Sequence, residues 1–127
     1  MRTHRVARLL KSATAVSDAL RAVGLKPERP LLGCFDGHRW RGGGTTEKSL
    51  DPSSGEVIGQ VVTASVEDVQ GCIRNAVAAK RAWASVPAPM RGDIVRSLGV
   101  ALREKKEALA TILTYEVGKI HSEALGE

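Results

Sequence analysis

Large rings are scarce, with one Phe, one Tyr and two Trp in 127 residues. Any core must therefore be built from Ala, Val, Leu and Ile. Phe35, Trp40, Trp83 and Tyr115 stand apart from basic runs, so stacking platforms for nucleic-acid bases are missing as well. Long apolar runs are also absent. No window approaches the roughly 18 uninterrupted apolar residues that a membrane-spanning helix requires, and no membrane partner is expected. Cysteine is limited to Cys34 and Cys72, 38 positions apart. Neither belongs to a CxxC pair or has a histidine at ligand spacing, so zinc-thiolate and dithiol-motif readings fail. One disulfide or two reduced thiols remain open, and two reduced thiols of an intracellular protein are the expectation.

A net charge of +5 raises the question of nucleic acid, and its location answers it. Arg2, Arg5, Arg8, Lys11, Arg21, Lys26 and Arg29 stand against Asp18 and Glu28 in the first 29 residues. From residue 30 onward basic and acidic side chains balance. The body thus lacks the electrostatic term that dominates nucleic-acid affinity, and no nucleic acid is expected as a partner. Residues 1–16 form a basic, acid-free extension containing Ser, Thr and Ala. They read either as a mitochondrial transit peptide or as a solvated helical extension. The remaining segment, 17–127, is read as one body.

Along that body the apolar period changes twice. Val16, Leu20 and Val23 continue an amphipathic helix that Gly24 is placed to end, and Pro27 and Pro30 impose an extended linker. Asp36-Gly37 lies at the centre of Cys34–Trp40 and suits a hairpin turn. Gly42-Gly43-Gly44 has no helix after it and is a connector, not a nucleotide loop. A second hairpin is expected from Thr45–Leu50 and Glu56–Ala64 around the turn Asp51-Pro52-Ser53-Ser54-Gly55. Ser65 and Asp68 then resemble a capping box. Val69, Cys72, Ile73, Ala76, Val77 and Trp83 recur at helical steps. Pro87-Ala88-Pro89 breaks this helix and opens the next one, whose buried stripe is expected to be Ile94, Val95, Leu98, Ala101 and Leu102. Arg91, Arg96, Arg103, Lys105 and Lys106 are expected only to solvate its other side. A further helix is expected over about 106–117 with Gly118 as its C-cap, followed by a helical start at Ile120 that has no closing cap. The class is α+β, helices plus two short hairpins, in a chain that reads as truncated at its C-terminus.

Chemistry is hard to place on these elements. His4, His38 and His121 fall in a tail, a hairpin and a helix start, without a partner to orient any of them. No nucleophile and base can be paired with support from the sequence. Cys72, on an apolar helical stripe, reads as a small core residue.

Three motifs in order nevertheless resemble one family. Asp51-Pro52-Ser53-Ser54-Gly55-Glu56-Val57-Ile58 is similar to an early hairpin of the aldehyde dehydrogenase superfamily, which usually has Asn at the position of Asp51. Trp83 followed by Arg91, and then Glu116-Val117-Gly118-Lys119, resemble that family's next two landmarks. The stretch from Pro87 to Arg96, Ala101–Lys105, Gly24-Leu25 and the Phe35–Trp40 hairpin resemble the antiquitin group in particular. The resemblance spans roughly residues 17–127. It implies an α/β parent enzyme with a Rossmann-like cofactor domain, of which 17–127 would be the N-terminal part. It also implies NAD- or NADP-dependent oxidation of an aldehyde, the semialdehyde of 2-aminoadipate for antiquitins, to a carboxylic acid. The family's Gly-Gln-x-Cys nucleophile, cofactor lysine, Gly-Ser-Thr loop and Glu-Leu-Gly-Gly glutamate have no counterpart here. No catalytic or cofactor-binding residue is therefore expected in this chain, which on its own should be inactive. The resemblance further implies that the Glu116 carboxylate and the carbonyls of Ser49 and Leu50 contribute to a monovalent cation site. The other implied partners are the aldehyde, the rest of the chain's own fold and a homotetramer, in mitochondria or cytoplasm. Two alternatives stay open: a self-sufficient helical interaction module, and another aldehyde dehydrogenase subgroup.

Overall fold

The computed structural model describes residues 14–127. Most of the basic extension 1–16 lies outside the described residues, as does His4. Residues 14–22 form helix α1. Short strands follow: β1 (Leu31–Leu32), β2 (Cys34–Phe35), β3 (Trp40–Arg41), β4 (Thr46–Leu50) and β5 (Val57–Val62). Four helices complete the chain: α2 (Val66–Ser85), α3 (Ala88–Glu104), α4 (Lys106–Val117) and α5 (His121–Ala124). The strands make a three-stranded sheet in the order β1-β5-β4 and a separate β2-β3 pair. The architecture is α+β, and the two expected hairpins are present.

The chain divides into two compact units. One takes in the chain up to Leu31, Lys48–Gln60 and Lys105–Glu127; the other comprises Leu32–Glu47 and Val61–Glu104. Among the described residues, the buried apolar side chains, Val16, Ala19, Leu20, Ala110 and Ala124, all belong to the first unit. Val16, Ala19 and Leu20 follow the i, i+3, i+4 spacing of one helical face. Where α1 ends, Leu25 N–H reaches Leu20 O and Gly24 N–H reaches Arg21 O, both at 2.9 Å. That bond pair is the Schellman pattern, with Gly24 in the left-handed position at φ 86°. The Lys105 ammonium donates to the Ala22 carbonyl at 2.9 Å, satisfying one of the carbonyls left over at the end of α1. Helix α4 ends as its sequence dictates, with Gly118 at φ 79° and its N–H on Thr114 O. Helix α5 packs back on α4.

The second unit holds the longest helices, α2 and α3. At the start of α2, Ser65 Oγ accepts from Asp68 N–H, and the Asp68 carboxylate accepts from the backbone N–H groups of Ser65 and Gly43. The shorter Asp side chain closes the capping box as well as Glu would. Pro87 cannot continue α2, and Pro89 is tolerated in the first turn of α3.

Three expectations are corrected. The stripes of α2 and α3 are not buried: neither helix contains a single buried residue, and Ile73 is 58% and Leu98 61% exposed. Their period is helical and apolar, but within the second unit only the β2-β3 hairpin meets that face, at Cys72. The linker is not extended throughout, since residues 27–29 turn, with Arg29 N–H on Lys26 O at 3.4 Å, before Leu31–Leu32 pairs with β5 as strand β1. A two-residue strand between Pro30 and Gly33 has too few positions to show a period. Finally, Arg91 and Lys105 do more than solvate a surface. The Arg91 guanidinium donates to Val86 O at 3.0 Å and Ala84 O at 3.4 Å, capping the last carbonyls of α2, while Lys105 reaches Ala22.

Candidate functional site

Of the residues that the resemblance implies as cation ligands, Ser49 and Glu116 are in contact in the first unit. Strand β4 delivers Ser49 and Leu50 at its end, and the last turn of α4 delivers Glu116. Ser49 Oγ donates to Glu116 Oε1 at 2.9 Å. Ion pairing of Glu116 with Lys119, the simplest alternative for this carboxylate, is not what the chain adopts, because Lys119 Nζ bonds to Glu127 Oε1. Oxygen-only donors of this kind suit a hard cation. Leu50 is half exposed and its side chain takes no part. Among the described residues, no three of His, Cys, Asp and Glu cluster in a way that could hold a metal ion.

Beside this pair the turn 51–55 is organised by a carboxylate that is only 3% exposed. Asp51 Oδ1 accepts from the backbone N–H and the hydroxyl of Ser53, and Oδ2 from the hydroxyl of Ser54, each at 2.8 Å. The Asp51 carbonyl also accepts from Gly55 N–H at 2.7 Å. Burial opposes ionisation of Asp51, but the Ser53 and Ser54 donors outweigh it and hold its carboxyl below the usual range. The turn fixes the direction of β4 and so the placement of Ser49.

A second buried carboxylate, Asp36, was not legible as such from the Asp-Gly dipeptide. Its Oδ1 accepts from the backbone N–H groups of His38 and Arg39 at 2.8 and 2.9 Å, and Oδ2 from Arg41 Nε at 2.6 Å. The Arg39 N–H, the Arg41 guanidinium and the His38 N–H, in that order, hold this carboxyl well below the usual carboxylate range. The hairpin therefore closes through a four-residue loop capped by its own Asp side chain. Phe35 and Trp40 face each other across it, with ring centroids 5.4 Å apart.

Among the described residues, His38 and His121 acquire no catalytic geometry. His38 contributes only its backbone N–H to the loop, and His121 Nε2 lies 3.3 Å from Glu107 Oε2 on an exposed surface. A hollow of about 110 Å³ lined by Pro27–Pro30 and Val57–Gln60 is well below the roughly 300 Å³ at which small-molecule pockets begin. The glycine run is equally unsuited to a nucleotide. A Cβ on Gly44 would stand 2.4 Å from Thr63 Oγ1, so this backbone is packed against its own chain where a phosphate cradle would have to open.

Comparison with known proteins supplies the frame for these elements. The family model described as the aldehyde dehydrogenase family matches residues 40–127. The chain belongs to the aldehyde dehydrogenase family. It is 40% identical over 108 residues to aldehyde dehydrogenase family 7 member A1 of Malus domestica. It is 44% identical over 108 residues to a putative family 7 member A1 homolog of Dictyostelium discoideum. It is 40% identical over 108 residues to alpha-aminoadipic semialdehyde dehydrogenase of Rattus norvegicus. Each match covers 85% of this chain and 20–21% of the relative. The chain thus spans about a fifth of the length of the curated relatives it matches. These are aldehyde dehydrogenases of the antiquitin type, the group that the 87–105 segment and the 35–40 hairpin resemble.

Proposed function

We propose that these residues are the N-terminal part of an NAD- or NADP-dependent aldehyde dehydrogenase that oxidises alpha-aminoadipic semialdehyde to its carboxylic acid, in an α/β parent fold. Residues 17–127 serve it structurally, as the first part of the cofactor-binding domain. The observation that carries this reading is the pair of uncovered apolar helices α2 and α3 in a chain that spans a fifth of its relatives. An uncovered face of this size is what a domain presents to a layer of its own fold. The dinucleotide supplies the hydride acceptor when bound. Among the described residues, neither the glycine run, closed by Thr63, nor the hollow at Pro27–Pro30, which is too small, fits it. No chemical step is therefore assigned to this chain, which alone oxidises no aldehyde.

Glu116, with the carbonyls of Ser49 and Leu50, contributes part of a monovalent cation site that steadies the junction of β4 and α4. The contact between Ser49 and Glu116 supports this. In the parent enzyme, assembled as a homotetramer, Glu116→Gln would weaken the dependence of activity on potassium. Residues 1–16 act as a mitochondrial import segment. A purely cytosolic signal from residues 1–25 fused to a fluorescent reporter would assign the enzyme to the cytoplasm instead.

The deciding experiment reads the coding DNA beyond Glu127 and assays the extended product. NAD(P)H formation with alpha-aminoadipic semialdehyde, exceeding that with short aliphatic aldehydes, is the expected result. Preference for another aldehyde would move the protein to a different subgroup. A stop codon directly after Glu127, together with a stably folded, monodisperse 127-residue product, would overturn the reading in favour of a self-contained interaction module.

A further inference from the structure

The two cysteines, remote in sequence, meet in space. Cys34 on β2 and Cys72 on α2 place their Sγ atoms 3.1 Å apart, and both are free thiols, half buried and within reach of small solutes. In the β2-β3 register Cys34 is opposite Arg41, while Phe35 pairs with Trp40, so Cys34 points away from the ring pair and toward the helix. The approach is held by contacts independent of the sulfurs. One turn after Cys72 on the same helix face, Asn75 Nδ2 donates to Asp36 O at 2.7 Å. Asp36 is in turn fixed by Arg41 and two backbone N–H groups. Cys72 Sγ also lies 3.6 Å from Phe35 O. One turn before Cys72, Asp68 Oδ2 accepts from Gly43 N–H at 2.8 Å, just past β3, so helix α2 is held to this segment on either side of the pair.

We propose that Cys34 and Cys72 form a reversible intramolecular disulfide, making this part of the fold a thiol-redox site that ties β2 to α2. Closing a bond of about 2.05 Å from this contact needs a movement of only about 1 Å, within the range of side-chain torsions. The oxidant is a low-molecular-weight disulfide. One cysteine thiolate attacks it, forming a mixed disulfide and expelling one small thiolate. The other cysteine then attacks the protein sulfur of that mixed disulfide and expels the second. Two protein thiols and one small disulfide thus become one protein disulfide and two small thiols, with the two cysteine protons ending on the departing thiolates. The Cys34 thiol is pushed up to about 11 by its hydrogen bond with Cys72, by burial and by the nearby charges of Asp68 and Asp36. Cys34 therefore holds its proton until Cys72 enters the mixed disulfide, when the hydrogen bond that raises it is lost; freed of that bond, it ionises beside the new disulfide and makes the second, resolving attack as the thiolate.

The 127-residue chain, equilibrated with mixtures of reduced and oxidised glutathione, tests this by mass spectrometry after acid quenching and alkylation. Both thiols should disappear together, in a product lighter by two hydrogens that yields a cross-linked peptide containing Cys34 and Cys72. The equilibrium should favour the disulfide at least about tenfold more in buffer than in urea, a difference of about 30 mV for this two-electron couple. Cys34→Ser and Cys72→Ser should each stop at a single glutathione adduct. Equal equilibria in buffer and urea would overturn the proposal, as would wild-type chains carrying two glutathiones or a disulfide between two chains.

Discussion

Asp51 stands where the aldehyde dehydrogenase pattern usually has Asn, and the turn it organises makes that difference measurable. In Asp51→Asn one side-chain oxygen remains to accept from the Ser53 N–H and hydroxyl. The new amide NH₂ takes the place of Oδ2, and the Ser54 hydroxyl, which can rotate, accepts from it instead. All three contacts survive in altered polarity, so the turn should keep its structure. Asp51→Ala removes all three. The Ser53 and Ser54 hydroxyls can turn to water, so the loss is governed by the charge-assisted bond from Ser53 N–H, about 1.5–3 kcal/mol. That corresponds to a roughly 10- to 100-fold loss of protection of the Ser53 amide in hydrogen exchange, since each 1.4 kcal/mol is about a factor of ten. Exchange rates normalised to the unstructured peptide report this bond directly, without requiring the whole chain to unfold cooperatively. Alanine and asparagine variants with the same protection as wild type would refute the reasoning. So would an asparagine variant as unprotected as the alanine one.

Other perturbations follow from features already described. Gly118→Ala places a Cβ in the left-handed region and 3.0 Å from the Pro52 ring. It should cost at least about 1–2 kcal/mol, read as a lower urea midpoint. Ile73→Ala and Leu98→Ala should each change that midpoint by the equivalent of less than about 1 kcal/mol, whereas a buried Ile or Leu would cost about 2–5; a larger loss would mean that the stripes are covered. Asp36, Asp51 and Asp68 all have folded-state carboxyls held below their ordinary value. Their contribution is therefore present above about pH 4 and lost as pH falls further through the folded values, so helicity by circular dichroism should be level from pH 8 to about 5 and decline below about 4. Helicity unchanged down to pH 2 would contradict this.

Local chemistry made much of the fold legible. Helix α4 falls on the expected range because Gly118 follows the last apolar turn, and α3 starts at the Pro87-Ala88-Pro89 break. The Ser65–Asp68 capping box was visible because its two partners are three residues apart. What escaped the sequence depends on long separations. The Cys34–Cys72 contact, the Asn75–Asp36 clamp and the Lys105–Ala22 tie have no local period or motif to announce them. Burial escaped for a different reason. Apolar spacing says which face of α2 or α3 can be covered, but the covering surface need not lie in the same 127 residues. The candidate cation ligands came from likeness to a family, since neither Ser49 nor Glu116 carries a signature of its own.

The first unit has a consequence for the order of events during synthesis. Its core draws on Val16, Ala19 and Leu20 from one end of the chain and on Ala110 and Ala124 from the other. The apolar face of α1 therefore leaves the ribosome some ninety residues ahead of its counterparts. Closing so long a loop is slow compared with forming a helix, and a face waiting that long is open to wrong partners. The second unit lies between these segments in sequence, and its capping box and hairpin are local enough to form while α1 waits. Among the described elements, helix α1 is thus made first and must wait for Ala110 and Ala124, which makes it a natural substrate of a chaperone acting during translation.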